Sequence, residues 1–341
     1  MKRPRTSLRI LLLCHEDLIP PEDEAAASAE KLEQTETERD VLRALRALGH
    51  SVEVVGLYDE LTPLREAVRK FRPHLAFNLL EEFHEQALYD YNIVAYLELL
   101  KVPYTGCNPR GMVLGRDKAL SKKVLSYHRV KVPRFGVLRR GRKISRVAGL
   151  EFPLIVKSLT EDASLGISEA SVVHNDEKFK ERVEFIHRRV QTPAIAEQFI
   201  HGREIYVTVL GHSRLQVLPP WELCFAGLRD EAPKIATRRA KWDKAYKERR
   251  SLRLKAAADF SPERVERLAR LSKRIYRSLN LSGYARIDFR VPEEGPPVFL
   301  EANPNPDIAS DAESASAAAS VGIGYEDFIQ RLVRLGLRSL D

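Results

Sequence analysis

The stretch GYARIDFRVPEEGPPVFLEANPNPD, Gly283–Asp307, decides the fold. Ala285, Ile287, Phe289 and Val291 alternate with Arg286, Asp288 and Arg290, the period-two pattern of a half-buried strand. Val298, Leu300 and Ala302 alternate in turn with Phe299, Glu301 and Asn303, and Pro292–Pro297 reads as a hairpin connection. A symmetric closure that sets Val291 against Val298 puts Asp288 opposite Glu301 and Arg286 opposite Asn303. Directly opposed side chains have Cβ atoms roughly 5 Å apart, and like charges there are destabilising. Two carboxylates with an amide beside them therefore ask for a cation. Oxygen-only donors suit Mg²⁺, with phosphates completing its shell, and Mn²⁺ is the alternative ion. The competing reading is a solvated hairpin face with coincidental acids. The apolar run into Asn303 and the Asn-Pro-Asn-Pro stop favour a metal site of Asp288, Glu301 and Asn303.

A chain of 341 residues has room for two or three compact units. At 44% hydrophobic and 30% charged residues, its balance is that of a globular protein. Cys14, Cys107 and Cys224 are far apart, odd in number and without metal spacing, which argues against a disulfide framework and for a reducing compartment. The apolar run Ile10–Leu13 is too short for a signal peptide core, and no stretch reaches the length of a membrane span. A cytoplasmic protein is the expectation. The net charge of +8 raises the question of nucleic acid. Its basic residues gather mainly at Arg238–Arg253, without a zinc-finger or RNA-recognition pattern. A loop that handles nucleotide phosphates explains this cluster, and nucleic acid is the weaker alternative.

Strands at Leu8–Leu13, Ser51–Leu57, His74–Leu79 and Val102–Tyr104 alternate with helices at Thr35–Leu48, Leu61–Phe71 and Tyr89–Leu100. That rhythm predicts an α/β layer with a parallel sheet over residues 1–108. Residues 109–192 read as an α+β unit, with a helix at Asp117–Tyr127, strands at Arg134–Leu138, Phe152–Ser158 and Ile167–Val173, and a helix at Asp176–Arg189. Residues 193–341 form a third unit. It contains Ala194–Ile200, Arg203–Leu210, a basic lid-like loop at 234–256, a helix capped by Ser261, the opening hairpin, and helices near Ser314–Ser320 and Tyr325–Leu335.

Several residues carry candidate chemistry. Lys157 ends an apolar strand and precedes SLTEDASLGIS, where Ser164 and Gly166 permit close backbone approach to a phosphate. The bland reading is a tight hairpin with an exposed lysine. Lys118 stands at a helix start, where anions are favoured; alone, it is as well read as a solvated surface residue. Glu197 and Glu204 bracket AEQFIHGRE. Glu197 suits an adenine amino group, the Gln198–Ile200 backbone offers a complementary donor and acceptor, and Glu204 suits ribose hydroxyls. Two ordinary hairpin acids are the alternative. No Ser/His/Asp or Cys/His arrangement stands out, which argues against nucleophilic hydrolysis.

VPYTGCNP, the DKALSK helix, FPLIVKSLTEDASLGIS, AEQFIHGREIYVTVLG, GYARIDFR and FLEANPNPD occur in one order. In these motifs the chain resembles the ATP-grasp superfamily, and within it the D-alanine–D-alanine ligase family, over nearly its whole length. The resemblance implies a three-domain ATP-grasp architecture with ATP between the central and C-terminal units. It implies an ATP-dependent ligase that joins a carboxylate to an amine through an acyl phosphate, releasing ADP and phosphate. By the same resemblance Lys118 and Lys157 meet ATP phosphates, and Glu197, Phe199 and Ile200 form the adenine hinge. Glu204 holds the ribose, Lys241 reaches the γ-phosphate from the lid, and Arg286 stabilises the tetrahedral intermediate. Asp288, Glu301 and Asn303 are then the magnesium ligands. Small-molecule substrates and a homodimer are further implications. An ATP-binding regulatory protein without turnover is the alternative.

The chain departs from the family in its substrate-facing residues. Cys14-His15-Glu16-Asp17 stands where the ligases carry a glycine-rich loop, with Thr37-Glu38-Arg39-Asp40 weakly similar to the Glu-Arg-Glu that follows it. Ala163 replaces the first of two serines and Trp242 the tyrosine that pairs with it. Asp307 and Ala312 replace the glycine and the serine at the acceptor end, among Asp311 and Glu313. Such an acidic end repels a carboxylate and welcomes a cationic amine, unless these acids only cap the next helix.

Overall fold

The computed structural model describes residues 7–161, 167–225 and 252–340. Ser164, Gly166, Lys241 and most of the 234–256 segment lie outside the described residues. The chain opens with β1 (Arg9–His15), whose five central residues are all buried. Helices α1 (Ala29–Gln34) and α2 (Glu36–Ala47) follow, then β2 (Ser51–Leu57), α3 (Thr62–Phe71), β3 (Leu75–Asn78) and α4 (Asp90–Leu99). The three strands form a parallel sheet in the order β2-β1-β3. A continuous apolar strand such as Ile10–Leu13 belongs at the centre of such a sheet, covered on both faces. The fourth expected strand, Val102–Tyr104, reduces to one parallel bridge between Ala76 and Tyr104.

A helix missed in the sequence, α5 (Pro109–Arg116), precedes α6 (Lys118–Tyr127). Asn108 caps α5, accepting from Gly111 N–H. Asp117 caps α6, accepting from the amides of Ala119 and Leu120. Each cap satisfies amides that a helix start leaves without carbonyl partners. Strands β4 (Phe135–Leu138), β5 (Leu154–Ser158), β6 (Val172–Val173) and β7 (Ala194–Gln198) build an antiparallel sheet in the order β4-β7-β5-β6, with α7 (Asp176–Phe185) packed on it. The strand expected at Ile167–Val173 shortens to two residues, and the helix expected to Arg189 ends in a π-turn at Ile186–Val190. The unit boundary drawn between 192 and 193 needs correction. β7, expected in the third unit, sits between β4 and β5. Its first four residues are buried, as its central place requires.

The remaining sheet is antiparallel and carries β8 (Arg203–Gly211), β9 (Leu215–Val217), β10 (Trp221–Phe225), β11 (Leu252–Ala256), β12 (Tyr284–Val291) and β13 (Val298–Pro304). Its order is β11-β10-β8-β12-β13, with β9 paired to β8. β11 occupies the end of the segment expected to be a lid. Helix α8 (Pro262–Ser278) is capped by Ser261 as expected; α9 (Glu313–Ala319) and α10 (Tyr325–Gly336) close the chain. Apolar side chains of this sheet and of the parallel sheet form one core, from Leu11 and Leu13 through Val207 and Ile287 to Phe299. The β4–β7 sheet has its own core around Leu154, Val156, Phe179 and Val183.

The hairpin needs two corrections. All eight residues of β12 are buried, so the strand is not half-solvated. The register also shifts. Arg286 pairs with Asn303 and Asp288 with Glu301 as expected, but Phe289 then pairs with Phe299 and Arg290 with Val298. Leu300 is the extra residue of a β-bulge, a local irregularity common beside active sites. Three motifs meet here. Cys107 N–H donates to Asn305 Oδ1 at 2.7 Å, and Asn108 N–H to Ser282 Oγ at 2.9 Å.

Candidate active site

Strand alternation places Glu204, Tyr206 and Thr208 of β8 beside Arg290, Asp288 and Arg286 of β12, residue for residue. The Arg286 guanidinium donates to both oxygens of Asp288, at 2.8 and 3.0 Å, and to Glu313 at 3.3 Å. It also lies over the Tyr206 ring, 4.7 Å from the centroid. Burial opposes its charge, but Asp288 and Glu313 outweigh that and hold its pKa well above the usual value. Asn303 Nδ2 donates to Asp288 Oδ2 at 3.0 Å. As a ligand, Asn303 would present its amide oxygen instead.

Asp288 and Glu301 are thus paired carboxylates with Arg286, Lys118 and Lys157 gathered round them. Lys157 Nζ is 3.8 Å and Lys118 Nζ 3.9 Å from Glu301 Oε2. Among the described residues, no group of three or more His, Cys, Asp and Glu side chains could hold a metal. Two carboxylates and an amide oxygen nevertheless fit Mg²⁺, which keeps waters and takes phosphate oxygens rather than filling its shell from protein.

The nucleotide side is built on Glu197, 1% exposed. Lys157 Nζ lies 3.2 Å from its Oε2 and Lys122 Nζ 2.8 Å from its Oε1. The Lys122 contact is an ion pair, and Oε1 accepts no further hydrogen bond among the described residues. Burial pushes the Glu197 carboxyl up, yet Lys122 and Lys157 more than offset it and the net direction is down. Lys157 moves up because Glu197 and Glu301 outweigh its burial. Lys122, wholly enclosed and repelled by Lys157, falls to about 8, burial being the main cause. Lys122 Nζ also donates to Leu300 O at 2.5 Å, the carbonyl of the bulge residue. It therefore ties α6 to both β7 and β13.

Lys118 and Lys157 are buried, which rules out the exposed-lysine readings of both. Lys118 Nζ donates to Glu161 O at 2.8 Å. Glu204 is held by Tyr206 Oη at 2.9 Å and by an Arg290 nitrogen at 2.8 Å, so any ribose contact shares an already bonded carboxylate. In the hinge, Gln198 N–H donates to Arg134 O and Phe199 N–H to Pro153 O. Both are spent on the fold, which narrows the expected backbone donor to Ile200. Phe199 stands edge-on to His201, ring centroids 5.0 Å apart.

The sequence profile described as "D-ala D-ala ligase C-terminus" matches residues 124–334. A D-alanine–D-alanine ligase of Desulforudis audaxviator is 30% identical over 313 residues, covering 90% of this chain and 95% of that protein. The chain belongs to the D-alanine–D-alanine ligase family. An uncharacterised protein y4sG of Sinorhizobium fredii is 31% identical over 269 residues, covering 77% of this chain and 75% of its own. The D-alanine–D-alanine ligase of Bacillus anthracis, solved in complex with ATP, superposes with a TM-score of 0.75 at 22% identity, covering 97% of this chain and 98% of that one. This likeness establishes the ATP-grasp fold. Family membership makes the chain an ATP-dependent ligase forming C–N bonds, with ATP and Mg²⁺ as cofactors, and does not favour the non-catalytic alternative.

Within this family fold, Lys118, Lys157, Glu197, Arg286, Asp288, Glu301 and Asn303 come together. Sequence reasoning gave no role to Lys122 or Arg290, and met Glu38 and Glu313 only where the chain departs from the family. Lys122 was findable, being one helical turn beyond Lys118 on the same face. Arg290 continues the alternation of Arg286 and Asp288. At the acceptor end Ala312 caps α9 without a side-chain bond, and Glu313 lies in the helix's first turn. Glu313 turns to Arg286, and Asp307 accepts from Thr37 Oγ1 at 3.0 Å and Ala309 N–H at 2.9 Å.

Proposed function

We propose that Lys118 and Lys157 hold the phosphates of ATP, that Glu197 accepts from its adenine amino group, and that the ligation runs through an acyl phosphate. The convergence of Lys118 and Lys157 on Glu301, beside Asp288, carries this reading. Asp288, Glu301 and Asn303 would hold Mg²⁺, which neutralises phosphate charge when bound. A substrate carboxylate attacks the γ-phosphorus, the bond to the β,γ-bridging oxygen breaks, and ADP leaves. An amine then attacks the acyl carbon. The C–N bond forms, the C–O bond to phosphate breaks, and the amine proton passes to solvent. Both steps gather negative charge, and Lys157 and Arg286 sit ready to stabilise it without reorganising.

Ser164, Gly166 and Lys241 belong to this proposal as phosphate contacts from the central loop and the lid, and Phe199, Ile200 and Glu204 as base and ribose contacts. Division into units near 1–108, 109–198 and beyond, a homodimer, and a cytoplasmic location where ATP is available complete the reading. The test is an ADP-release assay with Mg²⁺ and paired amino acids and dipeptides, D-alanine included. ADP and phosphate are expected only when both an acid and an amine are present. AMP and pyrophosphate as products would overturn the acyl-phosphate route.

A further inference from the structure

Lys122 stands behind the carboxylate proposed to meet the adenine base, and its role there rests on that ATP reading. Glu197 is the penultimate residue of β7, paired with Phe135 of β4 and Ile155 of β5. Its Oε2 lies 3.2 Å from Lys157 Nζ and its Oε1 2.8 Å from Lys122 Nζ. Oε1 is buried and accepts no hydrogen bond among the described residues. A buried acceptor without a donor is costly, and a ligand N–H relieves it.

The two lysines differ in what else they face. Lys157 Nζ also lies 3.8 Å from Glu301 Oε2, on the phosphate and metal side, so a bound triphosphate draws on its charge. Lys122 is wholly enclosed. Its ammonium donates to Leu300 O at 2.5 Å and sits over the Phe299 ring, 5.7 Å from the centroid. Held on the bulge of β13 and closed off from solvent, it keeps its charge on Glu197 when nucleotide enters. A carboxylate in such a place needs a cation to stay ionised, and an ionised acceptor makes the stronger hydrogen bond.

We propose that Lys122 is a positioning residue: it holds the Glu197 carboxylate charged and fixed for the C6 amino group of adenine, and so sets a preference for a 6-aminopurine nucleotide. Lys157 supports the same carboxylate in the empty site and turns to the phosphates in the filled one. Because Leu300 precedes Glu301, the base-reading carboxylate and a proposed metal ligand share one anchor, the Lys122 ammonium.

The test is calorimetric titration of the full chain, in Mg²⁺, with ATP and with purine riboside triphosphate. The second nucleotide keeps N1 and the ring system but carries hydrogen in place of the amino group. Wild type is expected to bind ATP at least about tenfold tighter. Lys122→Met should lose at least about fivefold in ATP affinity and less than about twofold for purine riboside triphosphate. Should Lys122→Met fail to fold, Lys122→Gln carries the same expectation. Equal losses for the two nucleotides would make Lys122 a structural residue only and overturn the inference, as would an unchanged ATP affinity. Equal wild-type affinities would remove Glu197 from the base contact and overturn the inference while ATP binding stands. Failure of both nucleotides to bind brings down the ATP reading, and the inference with it.

Discussion

Lys122 Nζ lies 2.8 Å from Glu197 Oε1, and both residues are closed off from solvent. With Lys157 on the other oxygen, one carboxylate stands between two ammonium groups. Such an arrangement costs desolvation, and removing one member costs more, because it strands a buried charge. Lys122→Met should destabilise the protein by about 3 kcal/mol, the low end of the range for a broken buried pair, because Lys157 still serves Glu197. Urea denaturation monitored by circular dichroism measures it. A midpoint equal to wild type would show the pair to be dispensable.

Asp288 sits between Arg286 and the proposed metal. Asp288→Asn keeps the side-chain volume and leaves Arg286 bonded to Glu313, so the fold should hold. Turnover should fall by at least about 100-fold, and half-maximal activity should need more Mg²⁺. The assay is ADP release against Mg²⁺ concentration. Wild-type activity at unchanged Mg²⁺ dependence would remove Asp288 from the metal site.

Glu38 predicts a pH effect of definite sign. Its folded pKa is raised to about 7 from 4.5, mainly by burial. The folded state therefore holds a proton that the unfolded chain has lost between these values. Stability from this group is fully present below pH 4.5 and is lost as the pH rises through 7. Glu38→Gln should match wild type near pH 4 and exceed it at pH 8 by up to about 3 kcal/mol, from roughly 1.4 kcal/mol per pKa unit. Denaturant midpoints across pH 4–8 test this, and a parallel pair of curves would refute it.

The hairpin was legible because its alternation is strong and its exit is marked by prolines. The bulge was not, because Leu300 fits the apolar alternation with or without it. Full burial of β12 was also hidden, since Arg286, Asp288 and Arg290 look like a solvent face until β8 supplies Glu204 and Tyr206. Lys122 escaped for a similar reason. A lysine on a helix is ordinarily solvated, and only the approach of β7 and β13 encloses this one. β7 was assigned to the wrong unit because a strand's partners are set by topology, which its own residues do not spell out. What sequence carried well were residues whose chemistry conflicts with their pattern, such as opposed acids in an apolar hairpin.

Gly283 offers a test of how the units meet. Its φ is +65°, and a Cβ built there would lie 2.1 Å from Gly106 O. Gly106 in turn sits against the Asn305 side chain, whose Oδ1 accepts from Cys107 N–H. Gly49 has a φ of +84° but open space where its Cβ would go. Gly49→Ala should therefore cost about 1 kcal/mol, the strain of a left-handed backbone alone. Gly283→Ala carries that strain and must also push the backbone at Gly106 away, so about 3 kcal/mol or more is expected. Paired urea titrations separate the two contributions. Equal losses would mean that the Gly106–Gly283 contact yields easily, and that the start of β12 is not what holds the parallel sheet's last turn against the hairpin of β12 and β13.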